Sequence, residues 1–445
     1  MSYVPNTDND RKVMFDAIGV EKFDDLIANI PDEIKLKHDL NLPPQLSELE
    51  ALELLKSYSA KNISTDSHIC FMGGGAYDHY IPAMVGSVLE RPEFKTAYTP
   101  YQAEVSQGTL QVMYEYQSCI TSLTGMDISN ASQYDAGSAL AEACMLAQAQ
   151  NHRNEVIFAG TINPNYVTVA NTITQGLGIT FKTAKNADGS CDLNTLKSTI
   201  TDKTAAIVVS QPNFLGSLEE VTKIEEICHS VGAMYIVVVN PLSLGLLEAP
   251  GNYNADIVLG EGQPLGIPLN FGGPYLGFFA IKKEYLRKMP GRVCGVTEDN
   301  RGNRAFVLTL QTREQQIKRE KATSNICTNQ GLMMLASTVY METMGKEGIR
   351  ETSEQAFHKA HYLADKISKL KGFSLANGNP FFNEFLIHTP VPACKVITEG
   401  IKQGFLPGVD VGSLLPGTDG LLIAVTEKRS KEQMDKFIDF LSKIA

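Results

Sequence analysis

The side chains best equipped for chemistry cluster in two short loops, FMGGGAYDHYIP at 71–82 and YTPYQAEVSQG at 98–108. Three consecutive glycines, Gly73 to Gly75, mark backbone that needs positive φ or a close approach to another group. Around them Tyr77, His79, Tyr98, Tyr101, Glu104 and Ser106 offer hydroxyl, imidazole and carboxylate groups able to hydrogen-bond a small polar substrate. The same residues equally suit a polar interface between helices, where tyrosines are common anchors. A third block, NASQYDAGSALAEACMLAQAQ at 130–150, runs from small residues straight into an Ala-rich helix. Such a start presents free N–H groups and a positive dipole end, and Gly137, Ser138 and Ala139 would let a phosphate approach. An ordinary helix capped by Asp135 or Ser138 would read the same way.

A sheet must position these loops. From residue 154 onward, apolar runs recur with helical segments between them: EVIFAG (155–160), ITFKTA (179–184), AAIVVSQP (205–212), MYIVVVN (234–240), ADIVLGE (255–261) and GFFAI (277–281). Continuous apolar runs are expected of strands covered on both faces in a mainly parallel sheet. Leu218, Val221, Ile224, Ile227 and Val231 form the apolar face of the helix between the third and fourth. This predicts an α/β domain over 66–310. Residues 1–65 read as a helical arm broken at Pro43-Pro44, and 311–445 as a smaller α+β domain with FFNEFLIHT and GLLIAVTE as strands and KEQMDKFIDFLSKI as closing helix. In such a sheet ligands bind outside the carboxyl ends of the strands. Those ends, Asn240-Pro241 and Gly260 to Pro264, carry no cation, and no Lys or Arg occurs between Lys223 and Lys282.

The formal net charge of −11 is spread along the chain, with no dense basic stripe to neutralise phosphates, so nucleic acid is not an expected partner. No apolar run approaches the ~18 residues a membrane span needs, and the polar start lacks the order of a signal peptide. A cytoplasmic location is expected. Eight scattered cysteines without a C-x-x-C pair read as buried, reduced thiols, and no metal site is expected.

Several blocks in the right order carry a family resemblance: FMGGGAYDHYIPA, YTPYQAEVSQGTLQVMYEYQ, GQPLGIPLNFGGPYLG (262–277), FVLTLQTREQQIKREKATSNICTNQG (306–331) and LLIAVTEKRS (421–430). The sequence resembles the P-protein of the glycine cleavage system, specifically the first chain of its two-chain form. The resemblance implies an aspartate-aminotransferase-like fold, fold type I of the pyridoxal-phosphate-dependent transferases. In the catalytic half of that family a Lys forms a Schiff base with pyridoxal phosphate, and an Asp on the preceding strand pairs the pyridine nitrogen. Matching the Gly-rich turn to Phe271-Gly272-Gly273-Pro274 places Gln263 where the Lys would be, and Asn240 where the Asp would be.

A neutral amide forms no imine, and Asn cannot hold the pyridine nitrogen protonated. The resemblance therefore implies a chain with no intact cofactor site and no catalysis of its own. Pyridoxal phosphate is expected on a partner, glycine dehydrogenase subunit 2, in an assembly of two copies of each chain. Together they would decarboxylate glycine and pass the aminomethyl group to the lipoyl arm of H-protein. Tyr98, Tyr101, Glu104 and Ser106 are the residues expected to be lent to the shared site, with Tyr77 and His79 supporting them. Arg313, Lys318, Arg319 and Lys321 form either a solvated basic helix face or a contact for the partner or an acidic H-protein surface, and Glu427, Lys428 and Arg429 are expected near the cleft. The alternative is a chain that only stabilises or regulates the catalytic subunit.

Overall fold

A computed structural model describes residues 5–38, 40–310 and 315–444. The chain divides into two units between Ile63 and Ser64. In the first unit, helices span Asp8–Ile18, Phe23–Leu26 and Glu48–Ser59. Reciprocal bonds start two of them, between Thr7 and Asp10 and between Ser47 and Glu50. Gly19, at φ 84°, ends the first, so the arm breaks there as well as at Pro43-Pro44. None of this unit's described residues is buried. Leu49, Leu52, Leu55 and Tyr58 of the third helix are all exposed.

The second unit is built on a seven-stranded sheet. Its strands are β1 (Ile128–Ser129), β2 (Glu155–Ala159), β3 (Thr180–Ala184), β4 (Thr204–Gln211), β5 (Met234–Val239), β6 (Ile257–Glu261) and β7 (Gly277–Ile281). They lie in the order β1-β7-β6-β5-β4-β2-β3, all parallel except β7, which runs against both neighbours. Alternate residues along each strand enter opposite cores. Ile207, Val209, Tyr235 and Val237 face the layer containing helix Gln107–Thr124 and the helical segment Gly331–Ile367, which is broken at Gly345. Val208, Ile236 and Leu259 face helix Ala136–Asn151. Each such fully buried side chain contributes about 1.5–3 kcal/mol, which explains why both faces read as apolar.

Two features differ from the sequence reading. Residues 293–309, beyond the last strand read for the α/β domain, form an antiparallel hairpin, β8 (Val293–Glu298) and β9 (Arg304–Thr309). Its half-exposed strands alternate weakly, so they lack the apolar signature of the central sheet. The cysteines are all free, but Cys394 is exposed and Cys119, Cys191 and Cys327 are only partly buried, so the expectation of eight buried thiols fails.

Towards the C-terminus a four-stranded antiparallel sheet forms from β10 (Ser374–Leu375), β11 (Glu384–His388), β12 (Val409–Asp410) and β13 (Leu421–Ala424), in the order β10-β11-β13-β12. Ile69 and Cys70 pair in parallel with Phe405 and Leu406, and Ala424 N–H donates to the Phe71 carbonyl. These bonds deliver the glycine loop that follows onto the small sheet.

Candidate functional site

The carboxyl ends of β4, β5 and β6 open on a cavity of about 50 Å³ whose lining includes Asn163, Tyr166, Asn240, Glu261 and Glu384. Beside it begins helix Ala136–Asn151. Its alanines favour helix, and its start is capped reciprocally, with Asp135 Oδ1 accepting from Ser138 N at 2.7 Å and Ser138 Oγ accepting from Asp135 N at 3.1 Å. The end of β6 then turns Glu261 onto the first turn. Its carboxyl accepts from the N–H groups of Ala136 (3.3 Å), Gln263 (3.1 Å) and Leu276 (3.0 Å). Burial pushes the Glu261 carboxyl up to about 8 in spite of these donors. The helix start that the sequence offered as a phosphate cradle is thus met by acidic groups of the chain itself.

Gln263 is 2% exposed and fully committed. Its Oε1 accepts from Tyr77 N–H at 2.7 Å, while Nε2 donates to the carbonyls of Tyr77 (2.9 Å) and Ile267 (2.7 Å). The side chain acts as one more peptide group, pinning the glycine loop to the turn after β6. Asn240 Oδ1 is likewise occupied, accepting from Leu242 N–H at 3.1 Å.

The glycine loop is held from two further sides. Glu384, on β11, accepts from Gly74 N–H at 2.7 Å and from the Tyr77 hydroxyl at 2.8 Å, and burial pushes its carboxyl up to about 7. A Cβ on residue 73 would lie 2.0 Å from Glu384 Oε1, and one on residue 75, at φ 112°, would lie 2.8 Å from both Asn163 Nδ2 and the Tyr166 hydroxyl. The run of glycines is the consequence. Asp78 binds Lys428 Nζ (2.6 Å) and Arg429 Nη2 (2.8 Å), and Glu427 accepts from His79 Nδ1 (2.6 Å) and Tyr80 N–H (2.5 Å). Burial opposes charge on Glu427, but His79 and the Tyr80 amide outweigh it and hold the carboxyl below its usual range. Residues 427–429 therefore anchor the glycine loop.

The six residues singled out in the sequence fall into two settings. Tyr77 and His79 are buried inside these networks. Tyr98 and Tyr101 are 81% and 60% exposed, Glu104 is exposed, and Ser106 is partly buried at the start of helix Gln107–Thr124. Tyr98 lines a different cavity, of about 200 Å³, with Pro100, Val112, Met113 and Arg292. Of the basic block, Lys318, Arg319 and Lys321 are exposed, and Lys318 and Lys321 share a groove of about 380 Å³ with Arg287 and Lys288. Arg313 lies outside the described residues. Sequence reasoning missed Glu261, Glu384 and Arg292 as buried polar groups. Only the first, closing an apolar strand at a carboxyl end, carried a signal.

A pyridoxal phosphate at this site would need a lysine and a carboxylate for its ring nitrogen. The residues lining the first cavity include no lysine, and the amides of Gln263 and Asn240 are already bonded within the chain.

The glycine cleavage system P-protein family model matches residues 1–441. A probable glycine dehydrogenase (decarboxylating) subunit 1 from Chloroherpeton thalassium is 51% identical over 444 residues, covering 100% of both chains. Its counterpart from Prosthecochloris aestuarii is 51% identical over 447 residues, again covering 100% of both. Among solved structures, an inhibitor-bound glycine decarboxylase (P-protein) of the glycine cleavage system superposes with a TM-score of 0.91 at 38% identity, covering 100% of each chain. A Burkholderia pseudomallei sphingosine-1-phosphate lyase, at TM-score 0.66 and 13% identity over 92% of this chain and 93% of that one, shares the fold. The architecture is that of the fold-type-I, aspartate-aminotransferase-like proteins. The chain belongs to the P-protein family of the glycine cleavage system, alongside chains named as its subunit 1.

Proposed function

We propose that this chain is the subunit without a Schiff-base lysine in a two-chain glycine dehydrogenase (decarboxylating), and that it works only with its partner. The observation that carries this reading is Gln263, whose amide is locked between Tyr77 and Ile267. It has no nucleophilic nitrogen to offer, and the lining of the cavity beside it includes no lysine. Cofactor and lysine then belong to subunit 2, with two copies of each chain in the assembly, and the lipoyl arm of H-protein receives the aminomethyl group left when glycine loses carbon dioxide.

What this chain supplies is position. The buried bonds around Tyr77 and His79 fix the glycine loop. Tyr98, Tyr101 and Glu104 are each exposed, Tyr101 with its ring 5.6 Å from the Arg292 guanidinium carbon, and are the groups lent to the partner's site, with Ser106 beside them in sequence. Two exposed tyrosines followed by an exposed Val105 suit a surface that another chain covers. The apolar residues of the first unit have the same explanation, an arm that closes on subunit 2 across an interface of ~2,000–5,000 Å². The groove of Arg287, Lys288, Lys318 and Lys321 is the docking face for an acidic surface of H-protein.

The test is glycine decarboxylation with lipoylated H-protein, using each full chain alone and both together. Turnover is expected only from the mixture, and turnover by this chain alone overturns the reading. The burial of Tyr77 and His79 in purely internal networks also favours a second reading, a scaffold that lends no residue. Substitutions in the 98–108 block separate the two.

A further inference from the structure

Helix Gln107–Thr124 begins where the Tyr98–Ser106 loop ends, and two of its glutamines grip the hairpin β8–β9. Gln107 Oε1 accepts from Phe306 N–H at 2.9 Å, and its Nε2 donates to the Phe306 carbonyl at 2.9 Å. Further along the helix, Gln117 Oε1 accepts from Cys294 N–H at 2.8 Å and Nε2 donates to the Cys294 carbonyl at 2.9 Å. Phe306 lies on β9 and Cys294 on β8. A residue in an antiparallel pair turns its N–H and carbonyl to the same side, so each glutamine amide occupies the outer edge of one strand. Among the described residues no third strand joins this hairpin, and two strands alone are marginal in water. The helix therefore serves both open edges as further strands would. The rings of Tyr114 and Phe306, with centroids 5.5 Å apart, and Cys294 Sγ, 3.2 Å from the Leu110 carbonyl, complete the contact.

Gln107 has a second attachment, inside the loop. Its Nε2 also donates to the Ala103 carbonyl at 2.7 Å, an oxygen that the Ser106 N–H reaches at 3.2 Å. One amide thus ties the turn Ala103–Val105, which carries Glu104, to strand β9. A little earlier in the loop, the Tyr101 ring lies 5.6 Å from the guanidinium carbon of Arg292, the residue before β8. The loop's own backbone bonds include Tyr101 N–H to the Thr99 carbonyl at 2.9 Å and Val105 N–H to the Gln102 carbonyl at 3.3 Å. Such local bonds shape a loop without fixing it to the body of the protein. Tyr77 and His79 bond to Glu384 and Glu427 and hold the glycine loop, a different piece of chain. The hairpin is the splint for residues 98–106, and Gln107 is its main fastening.

We propose that Gln107 is a positioning residue for the glycine reaction, its amide fixing the Tyr98–Ser106 loop to the hairpin β8–β9 so that Tyr98, Tyr101 and Glu104 meet the partner's site in one fixed arrangement. This rests on the reading above that the loop is lent to that site.

The test joins hydrogen exchange of the full chain, read by mass spectrometry, to glycine decarboxylation by its complex with subunit 2. Gln107→Met keeps an unbranched side chain of similar length and removes the amide. Exchange over 98–106 should rise at least about tenfold, with the buried strand Thr204–Gln211 unchanged. In the complex kcat should fall on the order of tenfold with assembly intact, since catalysis is sensitive to displacements of about 1 Å. In a Tyr98→Phe, Glu104→Gln background the same change should cost less than about twofold, because a residue that acts through the loop has little left to act on. A general weakening of the fold would cost the same in both backgrounds. Gln107→Glu keeps the bond from Phe306 N–H and loses both donations, and it carries the test if the Met variant fails to fold. Unchanged exchange over 98–106, or a full loss of kcat in the substituted background, overturns the proposal. If Tyr98→Phe and Glu104→Gln lower turnover while the Gln107 variants do not, the shared site stands and the role of Gln107 falls. If Tyr98→Phe and Glu104→Gln leave turnover intact, the shared-site reading falls and takes the proposal with it.

Discussion

Replacing Gln263 with Met removes the amide that pins the glycine loop while keeping an unbranched side chain of similar length, so the effect is lost hydrogen bonding more than a cavity. Tyr77 N–H loses the Gln263 acceptor, whereas the Tyr77 carbonyl still accepts from His79 N–H at 3.1 Å. The Ile267 carbonyl loses its bond to Nε2. A buried orphaned donor costs ~1–3 kcal/mol and each lost bond to a carbonyl ~0.5–1.5 kcal/mol, which together give about 2–6 kcal/mol. At 1.4 kcal/mol per tenfold, the lower end already raises the population of the locally open state about 30-fold. Hydrogen exchange read by mass spectrometry is the assay, comparing peptides over 72–82 with the buried strand Thr204–Gln211 as internal control. Faster exchange confined to 72–82 and to the segments tied to it is expected. Unchanged protection at Tyr77 would refute the assignment of Gln263 as the structural peg of this loop.

The buried carboxyl of Glu384, held up at about 7 against an ordinary 4.5, gives a pH signature. Because the folded chain keeps this proton longer than the unfolded chain, stability falls as pH rises from about 4.5 to about 7 and then levels off. Glu384→Gln should flatten that slope in thermal melts across the window, leaving contributions from Glu142 and Glu261, which burial also raises. A slope identical to wild type would count against a neutral Glu384. In the assembled enzyme, Tyr98→Phe and Glu104→Gln should each lower kcat by ~10-fold to 100-fold with assembly intact. Full turnover in both variants excludes a shared site at those residues and favours the scaffold. Leu52→Asp with Leu55→Asp, on the exposed face of helix Glu48–Ser59, should leave the melting of the chain unchanged and weaken its binding to subunit 2 at least tenfold by sedimentation. Unaltered binding removes that face from the interface.

The central sheet was readable because its burial on both faces writes unbroken apolar runs, and GFFAI coincides with β7. The hairpin β8–β9 was not, since Val296 and Arg304 are exposed and its alternation is diluted by charge. At the site, Gln263 and Asn240 were visible as neutral amides near the strand ends. Their hydrogen-bonded roles were not, because Tyr77 is 186 positions away from Gln263 in sequence. Glu384 and Arg292 look like ordinary surface charges in one sequence. Their burial depends on long-range contacts, with Gly74 and Tyr77 in the first case and with Asn329 and the Tyr101 ring in the second.

The most direct test of the central claim is a borohydride-trapping experiment. The purified chain, and the complex with subunit 2, are incubated with pyridoxal phosphate, reduced, and weighed intact. One stoichiometric adduct on the partner, localised to a single lysine, and none of that kind on this chain is the predicted result. A stoichiometric adduct on one lysine of this chain alone, at Lys321 or elsewhere, would contradict the account and identify the true active site.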